Sequence, residues 1–219
     1  MTNWLGRLLT PRPGANPLSE ASAHTLKRWI DLPSAATDTA HFETRYIVLN
    51  TEASGLDIDK DRLLAVAAVA VDSGVLNPHD SYYGSLDATP DATPDATLAE
   101  LLLLSGKQPL VVFNAAFNRS VIERALDEHL GVAVDSLWID LYFLLPALFP
   151  QHQDRPVRLS AWMESFGIDT FQRHHALGDA WAIAQLLLAA QAKAYARGAH
   201  SPQALADIER SYRQQRSRL

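Results

Sequence analysis

The chain has 219 residues, 47% of them hydrophobic and 20% charged, with a formal net charge of −6 and no cysteine. That length suits one globular domain with terminal additions, and that composition supplies a core and excludes a disordered chain. The missing cysteine excludes disulfide scaffolds, thiolate zinc sites and cysteine nucleophiles, and the acidic balance argues against a broad basic face for long duplex nucleic acid. No apolar run approaches the ~18 residues that cross a bilayer. The opening stretch also lacks the apolar core and small-residue cleavage site of a signal peptide, so a cytoplasmic chain with no membrane anchor is expected.

Residues 1–44 read as an N-terminal helical extension. Trp4, Leu5, Leu8 and Leu9 share one helical face, and Pro11, Pro13 and Gly14 break it. With Arg7 as the one basic residue among them, that helix makes a poor membrane-surface binder. Leu26, Trp29 and Ile30, at i, i+3, i+4 spacing, predict a second short helix that ends before Pro33 and docks its apolar stripe on the body. From Arg45 the character changes. Residues 46–49 and 63–71 are apolar and partly β-branched, bounded by Gly55 and Gly74, as buried strands should be, and 81–86 make a third strand. The short connections predict an antiparallel meander. Beyond it, helix is predicted over 97–105, 115–129, 141–148, 159–166, 176–196 and 202–216, and strand over 110–113 and 137–140.

Two segments stand outside this alternation. Asp87 to Thr97 repeats Asp-Ala-Thr-Pro almost three times, and proline at every fourth position argues against a regular helix or central strand there; a duplicated surface loop is the simpler reading than a binding motif. Arg210, Arg213, Arg216 and Arg218 give the last helix a basic stripe, read either as a solvated helix end or as a surface for phosphates or an acidic partner.

Three segments carry chemistry when taken together. Asn50-Thr51-Glu52-Ala53-Ser54-Gly55-Leu56 ends the first strand, where positions 50 and 52 point to one side. Phe113-Asn114-Ala115-Ala116-Phe117-Asn118 leads from a strand into a helix, and His174 precedes Asp179 by five residues at the start of a long helix.

In this order these segments resemble the three motifs of the DnaQ-like 3′–5′ exonucleases of the DEDDh subfamily, across roughly residues 45–191, within an expected exonuclease-like domain of residues 45–196. The first family motif, Asp-x-Glu-Thr-x-Gly, is matched by 50–55; the second, His-Asn-x-x-Phe-Asp, by 113–118; the third by His174 and Asp179. Trp138-Ile139-Asp140 falls where the family has a strand ending in Asp, and 159–167 where it has a Leu-rich helix ending in Phe-Gly. The resemblance implies a ribonuclease-H-like α/β fold: a five-stranded mixed sheet, three antiparallel strands then two parallel ones, flanked by helices. Residues 1–44 and 197–219 would be additions to it. It further implies two Mg²⁺ or Mn²⁺ ions and single-stranded DNA or RNA 3′ ends as substrate. His174 would be the base, with Glu52 and Asp179 beside it; Glu52, Asp179, Asn50 and Asn118 would stand at the metal positions. Ala53, Gly55, Leu56, Phe113 and Phe117 would lie along the substrate.

The departures from the family matter as much. Asn50 and Asn118 stand where the family has two of its four acids, Ala53 replaces a Thr, and Phe113 replaces a His. An amide oxygen can coordinate a hard cation but brings no charge, and each lost charge–charge contact is worth several kcal/mol at an effective dielectric of about 20. Weak or partial metal occupancy is therefore expected. Two functions stay open: a weak or conditionally active 3′–5′ exonuclease, and a catalytically dead pseudo-exonuclease that serves as a nucleic-acid or protein binding module, with a protein partner or homodimer possible and no membrane role. Asp140 reads as a helix cap rather than a metal ligand, since helix follows it.

Overall fold

A computed structural model describes residues 18–87, 89, 93–172 and 175–218. Five strands form one sheet in the order β3-β2-β1-β4-β5. They are β1 (Arg45–Ala53), β2 (Leu63–Asp72), β3 (Val75–Ser85), β4 (Leu110–Val112) and β5 (Trp138–Asp140). β1 pairs antiparallel with β2, and β2 with β3, while β1–β4 and β4–β5 are parallel. The expected ribonuclease-H-like sheet is thus present. The carboxyl ends of β1, β4 and β5 lie along one edge of it.

The helices are α1 (Glu20–Ile30), α2 (Pro94–Ser105), α3 (Ala115–Leu130), α4 (Leu141–Leu148), α5 (Leu159–Phe166), α6 (Ala176–Tyr195) and α7 (Pro202–Arg216). They cover both faces of the sheet, and period-two alternation along the strands sorts the core into two halves. Tyr46 and Val48 of β1 and Ala67, Val69 and Val71 of β2 pack against α4, α5, α6 and α7. Ile47 and Leu49, with Val66, Ala68 and Ala70, pack against α1, α2 and α3. Strands buried on both faces explain the continuous apolar runs. Ala180, Ile183, Ala184 and Leu187, all fully buried, give α6 the i, i+3, i+4, i+7 stripe that seats it on β1 and β2. Among the described residues, no helix is long and apolar enough to cross a membrane.

Two differences from the sequence reading have physical causes. β3 starts at Val75, six residues before the predicted position, because it is an edge strand whose polar first half is exposed and can hold Pro78 without losing a ladder bond in the sheet interior. α2 starts at Pro94, inside the repeat that was read as free of helix. Proline fits the first helical position, where its missing N–H is not needed. The helix predicted around Trp4 and Leu8 lies outside the described residues. The second helix docks as expected: Trp29 is buried, and its Nε1 donates to the Gly106 carbonyl at the end of α2 at 2.8 Å.

Candidate active site

Asn50 and Glu52 extend the row begun by Tyr46 and Val48, so both face α6. Each reaches the first residue of that helix. The Glu52 carboxylate accepts from the Ala176 backbone N–H at 2.8 Å, and Asn50 Nδ2 donates to the Ala176 carbonyl at 3.3 Å. An acid at a helix N-terminus meets unpaired N–H groups and the positive end of the helix dipole. Asp179 stands on the same first turn, its N–H bonded to the His175 carbonyl at 3.0 Å. Asn50, Glu52 and Asp179 thus gather where β1 ends and α6 begins. His174 lies outside the described residues.

Asn118 approaches the end of β1 from the other face. Thr51 alternates away from Asn50 and Glu52, and its hydroxyl donates to Asn118 Oδ1 at 2.7 Å. The Asn118 amide nitrogen donates to the carbonyls of Phe113, at 2.8 Å, and Asn114, at 3.3 Å. The side chain is 6% exposed. Its nitrogen ties it to the β4–α3 connection as a donor to two carbonyls, and its oxygen ties it to β1 as an acceptor from one hydroxyl.

That connection is itself bent. Asn114 has φ 69° and ψ 73°, a left-handed conformation that asparagine tolerates better than most residues. Asp140, 2% exposed at the end of β5, accepts from the Asn114, Ala115 and Tyr142 backbone N–H groups, each at 2.9 Å. It therefore caps α3 and α4 together, which extends the single cap read from the sequence. Burial raises its pKa, and the three N–H groups and Arg213 oppose that shift.

The remaining predicted residues are placed unevenly. Leu56 is 87% exposed at the tip of the loop after β1, and Ala53 and Gly55 are partly buried at its base. The loop is braced: the Ser54 N–H bonds the Arg62 carbonyl at 3.0 Å, Asp57 N–H bonds Asp61 Oδ2 at 2.7 Å, and Arg124 of α3 donates to the Ile58 carbonyl at 2.7 Å. A Cβ on Gly55 would lie 2.5 Å from the Asp61 carboxylate, so the chain closes on itself there. Phe117 packs against the α1–α3 side of the core. Phe113 is buried on the opposite side, edge-on to Tyr142 at 5.7 Å.

Tyr83 was missed by the sequence reading. It is 41% exposed, and its ring stacks on His175 at 4.7 Å. Register places it in one cross-strand row with Asn50, through Ala67. Burial first, and then the charge of Glu52, raises its pKa. Only the strand register relates Tyr83 to Asn50, so spacing along the chain held no signal for it. His175 Nδ1 accepts from the Leu177 N–H at 3.3 Å, which leaves the proton of a neutral ring on Nε2. A Cβ on Gly178 would lie 2.1 Å from the Gln172 carbonyl, so glycine is what lets the loop before α6 cross its first turn.

Among the described residues, no three His, Asp or Glu side chains are grouped to hold a metal ion. The Asn118 amide is spent on protein partners, and Glu52 has one oxygen engaged by α6. Among the described residues, Glu52 and Asp179 are the acids at the site, beside the uncharged amides of Asn50 and Asn118.

No protein-family model matches the chain, and no curated protein matches it in sequence. Solved structures do match it. Exonuclease X in complex with 5′-overhanging duplex DNA is 19% identical with a TM-score of 0.54, over 75% of this chain and 99% of that one. The chain shares its ribonuclease-H-like fold. A structure of exonuclease I is 17% identical with a TM-score of 0.52, over 74% of this chain. E. coli exonuclease I in complex with a 5cy-dT13 oligonucleotide is 16% identical with a TM-score of 0.53, over 68% of this chain. The chain spans only 42% and 41% of the lengths of these two exonuclease I chains.

Proposed function

We propose that this protein binds single-stranded nucleic-acid 3′ ends on an exonuclease-like unit, residues 45–196, whose catalytic centre is degenerate. The observation that carries the reading is the hydrogen bonding of Asn118. A carboxylate in its place would face the carbonyl oxygens of Phe113 and Asn114 with no proton to offer either. The amide is thus part of how this chain builds the β4–α3 connection, rather than a metal ligand with one atom changed. With Asn50 also neutral, Glu52 and Asp179 are the acids left at the site. Losing even ~4 kcal/mol of transition-state stabilisation slows a reaction about a thousandfold.

The site retains features that suit a strand end. Exposed Tyr83 stands in the cross-strand row of Asn50 and close to Glu52, and Leu56 is exposed on the loop that follows β1; an unpaired base offers both an apolar face and polar edges.

Calorimetry with Mn²⁺, run beside release of mononucleotides from a 3′-labelled single strand, tests the proposal. The expected result is strand binding with at most one ion held at millimolar affinity and no metal-dependent release. Two ions at micromolar affinity with release of mononucleotides would establish the alternative, an active exonuclease. Failure of the strand to bind would remove the nucleic-acid reading.

A further inference from the structure

The basic stripe of the last helix is not used by the candidate site, and the structure gives it a place. A cleft of about 370 Å³ opens between the start of α3, the end of β5 and α7, with Arg119, Arg210 and Arg213 on its walls and the Trp138 indole between them. Arg213 is turned inward. It pairs with the buried Glu209, lies 3.8 Å from Asp140 and covers the Phe143 ring at 4.8 Å. Asp140 is further neutralised by its three backbone N–H partners. The buried acids of the cleft are therefore matched from within, and the charged groups left facing solvent are those on its rim.

Arg119 and Arg210 stand on that rim, about half exposed. Arg119 lies over the Trp138 ring at 5.4 Å. Each pairs with an acid of its own helix: Arg119 with Glu123 at 2.8 Å, and Arg210 with Asp207 at 3.1 Å. Exposed pairs of this kind are worth at most about 1 kcal/mol, so an incoming anion can displace the acids. Arg216 and Arg218 continue the basic run past the cleft.

Position makes the cleft more than an isolated patch. β5 is two strands from β1 in a parallel run, with Asp140 level with Leu49, so β5 ends about 10 Å across the sheet from the residue that precedes Asn50. The start of α3 lies between them, with Asn118 turned toward β1 and Ala115, Ala116 and Arg119 lining the cleft.

We propose that the cleft is a phosphodiester-binding extension of the candidate site: a single strand whose end lies at Asn50 and Glu52 crosses the start of α3 and is held by Arg119 and Arg210. This rests on the nucleic-acid reading above.

The test is fluorescence anisotropy of a labelled oligo-dT strand against NaCl concentration. It compares the native chain, Arg119→Ala with Arg210→Ala, and Lys27→Ala with Arg28→Ala. The second pair removes the same charge from exposed positions on α1, a helix that lines no part of the cleft. Arg213 is left intact because Glu209 and Asp140 depend on it. The expected result is about tenfold weaker binding for the cleft variant, with the slope of log K against log salt reduced by about 1.4, and no change for the α1 variant. If native and cleft variant bind with equal affinity and slope, or if both variants lose equally, the cleft is not on the path while the end-binding reading stands. If the native chain binds an acidic peptide and no strand, both fall.

Discussion

Asn118 illustrates why an amide and a carboxylate of the same shape are not interchangeable in a buried position. Its nitrogen serves two carbonyls, and a carboxylate has no donor to put there. We expect Asn118→Asp to lower stability by about 1–3 kcal/mol at neutral pH. The loss should shrink as the pH is lowered and the new carboxyl gains a proton; urea denaturation at two pH values measures both effects. Asn50 is different. It makes one long bond, from Nδ2 to the Ala176 carbonyl at 3.3 Å, so an Asp there forfeits one weak donor contact where Asn118 would lose two. Asn50→Asp should fold, and should raise Mn²⁺ affinity by at least about tenfold in calorimetry, the return of a single modest charge contact. Equal affinities in Asn50→Asp and the native chain would mean that Glu52 and Asp179 do not share a ligand position with residue 50. The sequence held the positions of both amides, through the order of the motifs. It could not separate their roles, because Thr51 and the two carbonyls meet Asn118 only once β1, β4 and α3 are assembled.

Among the elements, buried segments were legible and exposed ones less so. Helices 159–166 and 202–216 and both halves of the core follow from apolar periodicity, which burial enforces. The first half of β3 follows from ladder bonds to β2, which leave no trace in the pattern of an exposed edge. Asp140 lies between these cases. An acid before a helix reads as a cap, but its hold on a second helix depends on β5 lying beside β4. Asp140→Asn should cost about 3 kcal/mol, since it removes a buried charge that offsets Arg213 and turns an acceptor of three N–H groups into a weaker one. Hydrogen exchange should locate the damage. The Asn114, Ala115 and Tyr142 amides should exchange faster, while those of β2 change only by the global loss. Uniform acceleration over the whole chain would show that Asp140 does not act on the two helix starts in particular.

At the scale of the whole molecule, the segment before β1 is tied to the connection between α6 and α7, and His41 is the knot. Its backbone N–H bonds the His200 carbonyl at 2.9 Å, while its ring meets the Tyr46 hydroxyl at 2.6 Å and the Ala199 carbonyl at 3.2 Å. Nearby, the Gln203 N–H bonds the Thr37 carbonyl at 2.8 Å. The neutral ring satisfies both partners by donating from Nε2 to Ala199 and accepting at Nδ1 from Tyr46. A second proton would bury a charge and oblige the tyrosine hydroxyl to turn from donor to acceptor. Burial accordingly lowers the His41 pKa below its ordinary value of 6.5; the Ala199 bond opposes this, and the nearby His200 adds to it. The unfolded chain therefore binds this proton before the folded one does. Stability is fully present above pH 6.5 and falls as the pH drops from there toward the folded-state pKa, by at most about 1.4 kcal/mol per pH unit for one group. The Arg45 guanidinium lowers the pKa of Asp80 from 3.8, so its contribution is lost in a separate, more acidic window. His41→Gln keeps a donor and an acceptor without a titrating proton. The difference between native and His41→Gln stability, followed by urea denaturation between pH 7.5 and 5, should grow in favour of the variant as the pH falls. A difference that stays constant across that range would mean that the folded chain accepts the proton on His41 as readily as the unfolded one, and that the knot holds with a charged ring.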